Sequence, residues 1–192
     1  MKRDMALAKP LKSSFLSCEK DAETIIKKLF VTSQPYSDDL KRLLVINTKD
    51  CLDKSNQSYA KIVENTSVKE LMEGKYITLT PKLKMKEHEE VKSYIIISFD
   101  NFVPTSNPEY RDCTVHFDII SFTDYWDLGN YQVRPIKIAG IIDGILNNCK
   151  LSGIGTLQFA GMEENVYSEE WSGYSIVFIA THGNDDKLES EE

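Results

Sequence analysis

The residues able to do chemistry in this chain are few, and their spacing decides what they could do. His116 and Asp118 stand two apart in an alternating stretch, so a strand would project both from one face; Asp124 and His182 fall at strand ends. Such a group could serve as general acid and base, or supply half of a metal site. The chain has three histidines, none at helical or strand spacing from another, which favours a polar sheet face over catalysis. Gly153-Ile154-Gly155 lacks a third glycine and follows a helical pattern instead of opening one, so it does not read as a phosphate loop. There is no G-x-S-x-G elbow. Cys18, Cys51, Cys113 and Cys149 are scattered without a C-x-x-C pair and read as buried free thiols. The expectation is a protein that is not an enzyme, with no catalytic residues, no metal and no cofactor.

Charge is distributed unevenly. Residues 1–92 hold 18 Lys/Arg against 14 Asp/Glu, whereas residues 93–192 hold 5 against 16. Wrapping nucleic acid needs a concentrated basic face, which this balance does not supply. Opposite signs on two halves are compatible with self-association, the basic part of one copy meeting the acidic part of another, or with nothing more than an uneven solvated surface. No apolar run approaches the roughly 18 residues of a membrane span, and Lys9, Pro10 and Lys12 interrupt any signal-peptide core, so the expected site of synthesis is the cytosol.

The elements that must position these residues are legible from periodicity. Residues 1–16 read as a flexible arm, and 184–192 as an acidic, disordered tail. Between them 17–183 reads as a single α+β domain with an extended insertion at about 48–90. Ser17 offers an N-cap, and Ala22, Ile25, Ile26, Leu29 and Phe30 recur with helical spacing, predicting a helix over 18–31 that ends before Gln34-Pro35. Ser37–Arg42 reads as a helical turn, and Leu43–Ile46 as an apolar run too short to type. In the insertion, Ser67 and Glu70 make a capping box for a short helix closed by Gly74, and Tyr76–Leu79 and Leu83–Met85 read as short strands. The polar stretch 50–65 reads as a long excursion, either an extended arm or a device reaching a neighbouring molecule.

Ser93–Phe99 and Cys113–Phe122 have strand composition and predict a hairpin with a long turn over 101–111. Arg134–Asn148 predicts the central helix, with Pro135 at its first position. Its Ala139, Gly140 and Gly144 form a strip without bulk. Each internal glycine costs roughly 1 kcal/mol relative to alanine, so close approach to a sheet or to another subunit is the expected compensation. Asp143 reads as an edge residue, or as a partner for a base such as Arg134 in its own or a neighbouring chain. Thr156–Ala160 and Gly173–Thr181 predict a second hairpin, joined by an acidic loop over 162–171. The fold class is therefore α+β, a mainly antiparallel sheet of two β-hairpins separated by a helix, with helices on one face in α-β-β-α-β-β order. Phe102, Tyr110, Trp126 and Tyr131 cluster around the loops of the first hairpin with Arg111 and Arg134 beside them, a composition shared by core edges and subunit interfaces.

A family resemblance is carried by Ser98-Phe99-Asp100-Asn101-Phe102 with Pro104, Asn107-Pro108-Glu109-Tyr110-Arg111, Asp124-Tyr125-Trp126, Asn130-Tyr131, and Arg134-Pro135 with Ile138-Ala139-Gly140 and Ile142-Asp143. Gly153-Ile154-Gly155-Thr156-Leu157 and His182-Gly183 complete it. Over about 93–183 the chain resembles tailed-bacteriophage neck proteins of the tail terminator, or tail completion, family. The resemblance implies a virion protein assembled in the host cytoplasm. It implies a ring, commonly a hexamer, that caps the tail tube protein and joins it to head connector proteins, with genomic DNA passing through the lumen unbound and no membrane involved. Subunit-interface candidates are Phe102, Tyr110, Arg111, Trp126, Tyr131, Arg134, Gly140, Asp143 and Gly144. Stretch 48–90 departs from the compact form of such proteins, which leaves another head-tail connector or head completion role open. A small-ligand-binding regulatory domain is the alternative from a different class; it requires an enclosed apolar pocket between sheet and helices.

Overall fold

A computed structural model of the protein describes residues 18–79, 93–106 and 110–183. The arm 1–16, the cap Ser17, the expected strand Leu83–Met85 and the tail 184–192 lie outside the described residues. The first helical stripe becomes α1 (Cys18–Lys27), continued by one wider turn over Lys28–Thr32. It buries Ala22, Ile25, Ile26, Leu29 and Phe30, the five positions that the periodicity selects. After a cis Gln34-Pro35 bond, α2 (Tyr36–Val45) is a full helix instead of a turn, and its buried Leu40, Leu43 and Leu44 absorb the untyped apolar run.

The insertion is more helical than its polarity suggests. Asn56 accepts from the backbone N–H groups of Ser58 and Tyr59 and opens α3 (Gln57–Asn65) where an excursion was expected. Only Val63 of that helix is buried, so almost no hydrophobic signal was there to reveal it. α4 (Val68–Glu73) starts at the expected capping box: the Ser67 backbone N–H donates to the Glu70 carboxylate at 2.6 Å, and the Glu70 N–H donates to the Ser67 hydroxyl at 3.2 Å.

The sheet is α+β in layout and mainly antiparallel. Its strands are β1 (Ile77–Thr78), β2 (Ser93–Pro104), β3 (Tyr110–Phe122), β6 (Gln158–Val166) and β7 (Trp171–Gly183), in the order β1-β2-β3-β7-β6. Only the short β1–β2 pair is parallel. Between β3 and β6 the chain forms α5 (Arg134–Leu146) and a small two-stranded ribbon, β4 (Lys150–Leu151) with β5 (Gly155–Thr156). Two strands outrun their expected limits. β2 continues past Phe99 because a bulge between Asp100 and Val103, with Asn101 at φ 50°, accommodates the irregular sequence. β6 runs through the acidic stretch to Val166, where a loop was expected.

Alternation sorts the two faces. Ile95, Ile97, Val115, Phe117, Ile119, Ile176 and Phe178 face the helices and are buried with Ile138, Ile142 and Leu146 of α5. Phe117 meets Phe178 edge to face at 5.7 Å between ring centres. The opposite face is not uniformly polar, as the pattern suggested. Tyr94, Ile96, Ile120 and Trp171 make a second apolar cluster there, and Trp171 lies 5.4 Å from both Tyr94 and Phe122. Gly173 is required between the strands, because a Cβ at that position would overlap the Ile119 carbonyl.

Candidate assembly surface

α5 joins the two hairpins, and its two faces have different jobs. Arg134, its first residue with Pro135 second, is wholly buried. Its guanidinium donates to the carbonyls of Leu43 (2.6 Å), Ile46 (2.9 Å), Thr48 (2.8 Å) and Tyr125 (2.8 Å). Three of these belong to the end of α2 and the strand-like segment after it, where helix geometry leaves carbonyls without intrahelical donors and the helix dipole favours a cation. Burial lowers the Arg134 pKa from its usual value, yet the fork still matches the carbonyl cluster. This removes Arg134 from the interface candidates and also from pairing with Asp143, since its donors are committed inside its own protomer.

The outer face of α5 runs the other way. Gly140 and Gly144 do not lie against the sheet: a Cβ at either would meet nothing within 4 Å. Both are exposed and, with Val133 and Ile141, line an open groove of about 660 Å³. Its rim carries solvated apolar side chains, Tyr131 fully exposed, Tyr36 57% exposed and Ile136 46% exposed, with Gln132 and Lys137 between them. Tyr131 and Asn130 both have positive φ, 60° and 48°, in the turn that carries the ring outward. Beside Gly144, a buried Oδ1 of Asp143 has no hydrogen-bond partner among the described residues, a costly state within a lone protomer.

The remaining candidates are dispersed. Trp126 is half-buried, donates its indole N–H to the Ser121 carbonyl at 3.4 Å and lies 6.1 Å from the Tyr174 ring. Phe102 packs against the core from the far end of β2. Arg111 is half-buried in β3, and the side chain of Tyr110 lies outside the described part. The structure thus gathers Tyr131, Gly140, Asp143 and Gly144 along α5 and leaves Phe102 and Arg111 elsewhere. Tyr36 and Ile136, absent from the sequence-based set, complete the groove. Ile136 was readable as the one isoleucine of α5 out of phase with Ile138, Ile142 and Ile145; Tyr36 was not, because only the fold brings α2 to α5.

The register does not bring His116, Asp118, Asp124 and His182 together. His116 Nε2 lies 3.1 Å from Asp100 Oδ1, which also accepts from the Thr114 hydroxyl at 2.6 Å. Asp100 enters through the β2–β3 register, which a reading of one strand at a time does not reveal. His182 pairs with Arg111, whereas His116 pairs with Val177, placing the histidines about 17 Å apart along β7. Asp124 lies beyond the opposite end of β3, in a short turn over Thr123–Tyr125. Among the described residues no group of three or more His, Cys, Asp or Glu is arranged to hold a metal ion. The four cysteines are free, Cys51 and Cys113 buried and Cys18 and Cys149 half-buried; burial pushes the Cys113 thiol up to about 12. No helix among the described residues is long and apolar enough to cross a membrane.

Comparison with known proteins places this surface in context. No curated protein matches the chain. Among solved structures, a chain from the virion of a native gene transfer agent particle superposes with a TM-score of 0.40 and 15% identity, covering 65% of this chain and 90% of that chain. A likeness at that level establishes no common role. The model of the YomW family matches residues 37–180, from α2 through the sheet, which is three quarters of the sequence. The chain belongs to the YomW family.

Proposed function

We propose that this protein is a non-enzymatic structural component of a phage virion, and that copies of it assemble into a ring at the neck that terminates the tail tube and joins it to the head connector. The observation that carries the assembly part is the outer face of α5. A central helix, anchored by a wholly buried arginine, exposes an apolar groove floored by two glycines and rimmed by Tyr36, Tyr131 and Ile136. Contiguous apolar surface of this kind marks association sites in proteins that otherwise bury such groups. The glycines lower helix propensity and fill no space within the protomer, so their use lies in admitting something from outside.

The phage setting is supported by the motif string from Ser98 to Gly183, and a ring by its need for two different patches that meet head to tail. An acidic sheet half suits a lumen through which DNA slides without binding. The regulatory-domain alternative required an enclosed pocket between sheet and helices. Between α5 and the sheet that space is filled by Phe117, Phe178, Ile138 and Ile142; the hollow between α1 and the end of β2 is open to solvent instead of enclosed, and the groove lies on the opposite side of α5. Imaging of particles made without this protein tests the proposal: tails of irregular length or heads without tails are expected. Normal particles would exclude a neck role.

A further inference from the structure

Strand β6 is built unlike its neighbours. It is an edge strand, with β7 on one side and no strand on the other among the described residues. None of its nine residues is buried. Phe159, Met162 and Val166 fall in register with Phe178, Ile176 and Ser172 of β7, and so lie on the helix-facing side of the sheet, yet they stay exposed, Phe159 by 45%, Met162 by 38% and Val166 by 73%. An open edge beside an uncovered apolar underside is a surface that soluble proteins ordinarily cover or blunt. A bulge between Phe159 and Gly161, and the donation of the Phe159 N–H to Asn147 at 3.2 Å, restrict only the start of the strand.

Charge identifies what fits there. From Leu151 to Gly183 the sequence contains Glu163, Glu164, Glu169 and Glu170 and no Lys or Arg. Asp118 of β3 and Glu163 of β6 both stand opposite Ser175, extending the acidic strip across the sheet. The complementary charge is not on the helical layer, because residues 18–79 hold 10 Lys/Arg and 10 Asp/Glu. The excess lies mainly in residues 1–17, where Lys2, Arg3, Lys9 and Lys12 face a single acid, Asp4, among the apolar Met5, Leu7 and Leu11. This segment joins α1 at Cys18. The first turns of α1 lie at the sheet end where β6 begins: a Cβ on Gly153, in the β4–β5 turn, would sit 2.7 Å from Asp21 Oδ1. Seventeen extended residues span up to about 55 Å, enough to leave one protomer and run along another.

We propose that the arm 1–17 of a second copy adds to β6 as a further strand, its backbone pairing with the open edge, its apolar side chains covering Phe159, Met162 and Val166, and its bases meeting the glutamates. An arm and an edge are different surfaces, so each protomer gives one and receives one, which is the head-to-tail relation a ring needs. The inference rests on the ring reading and adds a device to it. A position such as Pro10, which has no N–H, is tolerated in a strand added at an edge.

The test uses full-length chains. One set carries Met5→Cys, Leu7→Cys or Leu11→Cys and the other carries Val166→Cys; the two are mixed under mild oxidation, with the unsubstituted protein as the thiol blank. A disulfide-linked dimer containing one chain of each kind is expected for at least one pair. In parallel, removal of residues 2–12, or the double change Glu163→Lys/Glu164→Lys, should raise the concentration needed for assembly by roughly tenfold or more, with unchanged circular dichroism. A third chain that carries both an arm cysteine and Val166→Cys, bridging only within itself while no mixed dimer forms from any pair, would overturn the exchange between copies. Unchanged assembly of the shortened chain, with no mixed dimer, would overturn it while leaving the ring intact. A wild-type protein that never assembles would remove the ring reading itself.

Discussion

β3 and β6 are neighbours of the same strand, β7, and they differ in almost every respect. Along β3, Cys113, Val115, Phe117 and Ile119 are buried while the residues between them are half-buried; along β6 nothing is buried. The difference comes from α5, which packs over β3 and β7, whereas β6 is held from that side only at its start, where the Phe159 N–H donates to Asn147 at the end of α5. α5 repeats the contrast on itself, with Ile138, Ile142 and Leu146 inside and Gly140, Gly144 and Ile136 outside. One part of the molecule is thereby finished as a monomer, and another is left open. Stability and assembly should respond to separate substitutions.

The largest effect is expected at the anchor. Arg134→Met strands the carbonyls of Leu43 and Ile46 in the core, and stability should fall by about 3–5 kcal/mol, read from the urea midpoint. Arg134→Lys should recover only part of this, since a single ammonium cannot span four carbonyls. Next, Phe117→Ala on β3 should cost about 3–5 kcal/mol, whereas Met162→Ser on β6 should change monomer stability by no more than about 0.5 kcal/mol and weaken assembly. Equal destabilisation by the two would break the comparison. Ser67→Ala removes one half of the α4 capping box and should cost about 1 kcal/mol without touching assembly.

Thiols sharpen the inside–outside contrast as a function of pH. Burial raises the Cys113 pKa from about 9 in the unfolded chain to about 12. Its contribution to stability is then complete below pH 9 and is lost as pH rises towards 12, because only the unfolded chain releases that proton over the interval. Cys113→Ala should flatten the alkaline limb of stability and leave the acid limb unchanged. Alkylation of the folded protein near neutral pH should reach Cys18 and Cys149 before Cys51 and Cys113, as mass mapping would show.

Much of this layout was legible in the sequence where a periodic pattern coincides with burial. The stripe from Ala22 to Phe30, the alternation from Cys113 to Ile119 and the Ser67/Glu70 box each state their own structure locally. α3 was hidden because it buries Val63 alone; the start of β6 was legible in the stretch Thr156–Ala160, but its continuation to Val166 was not, because an edge strand without a buried face loses the alternation that marks strands. The glycines of α5 were expected to lie against a sheet or another subunit; the sheet does not meet them, since a helix pattern reports that a strip is bare and not which side it faces. Arg134 was read as surface for a related cause: its carbonyl partners lie about ninety residues away, and no local pattern announces them.

The most direct measurement is the mass in solution of the wild-type protein beside Gly144→Leu. A leucine there meets open space and improves helix propensity, so the variant should keep or gain stability, by up to about 1 kcal/mol. If the outer face of α5 is an assembly surface, the wild type forms a species several times 21.9 kDa and the variant, fully folded, remains at the monomer mass. A wild type that stays monomeric at high concentration and beside tail tubes, or a variant that assembles as the wild type does, would contradict the account.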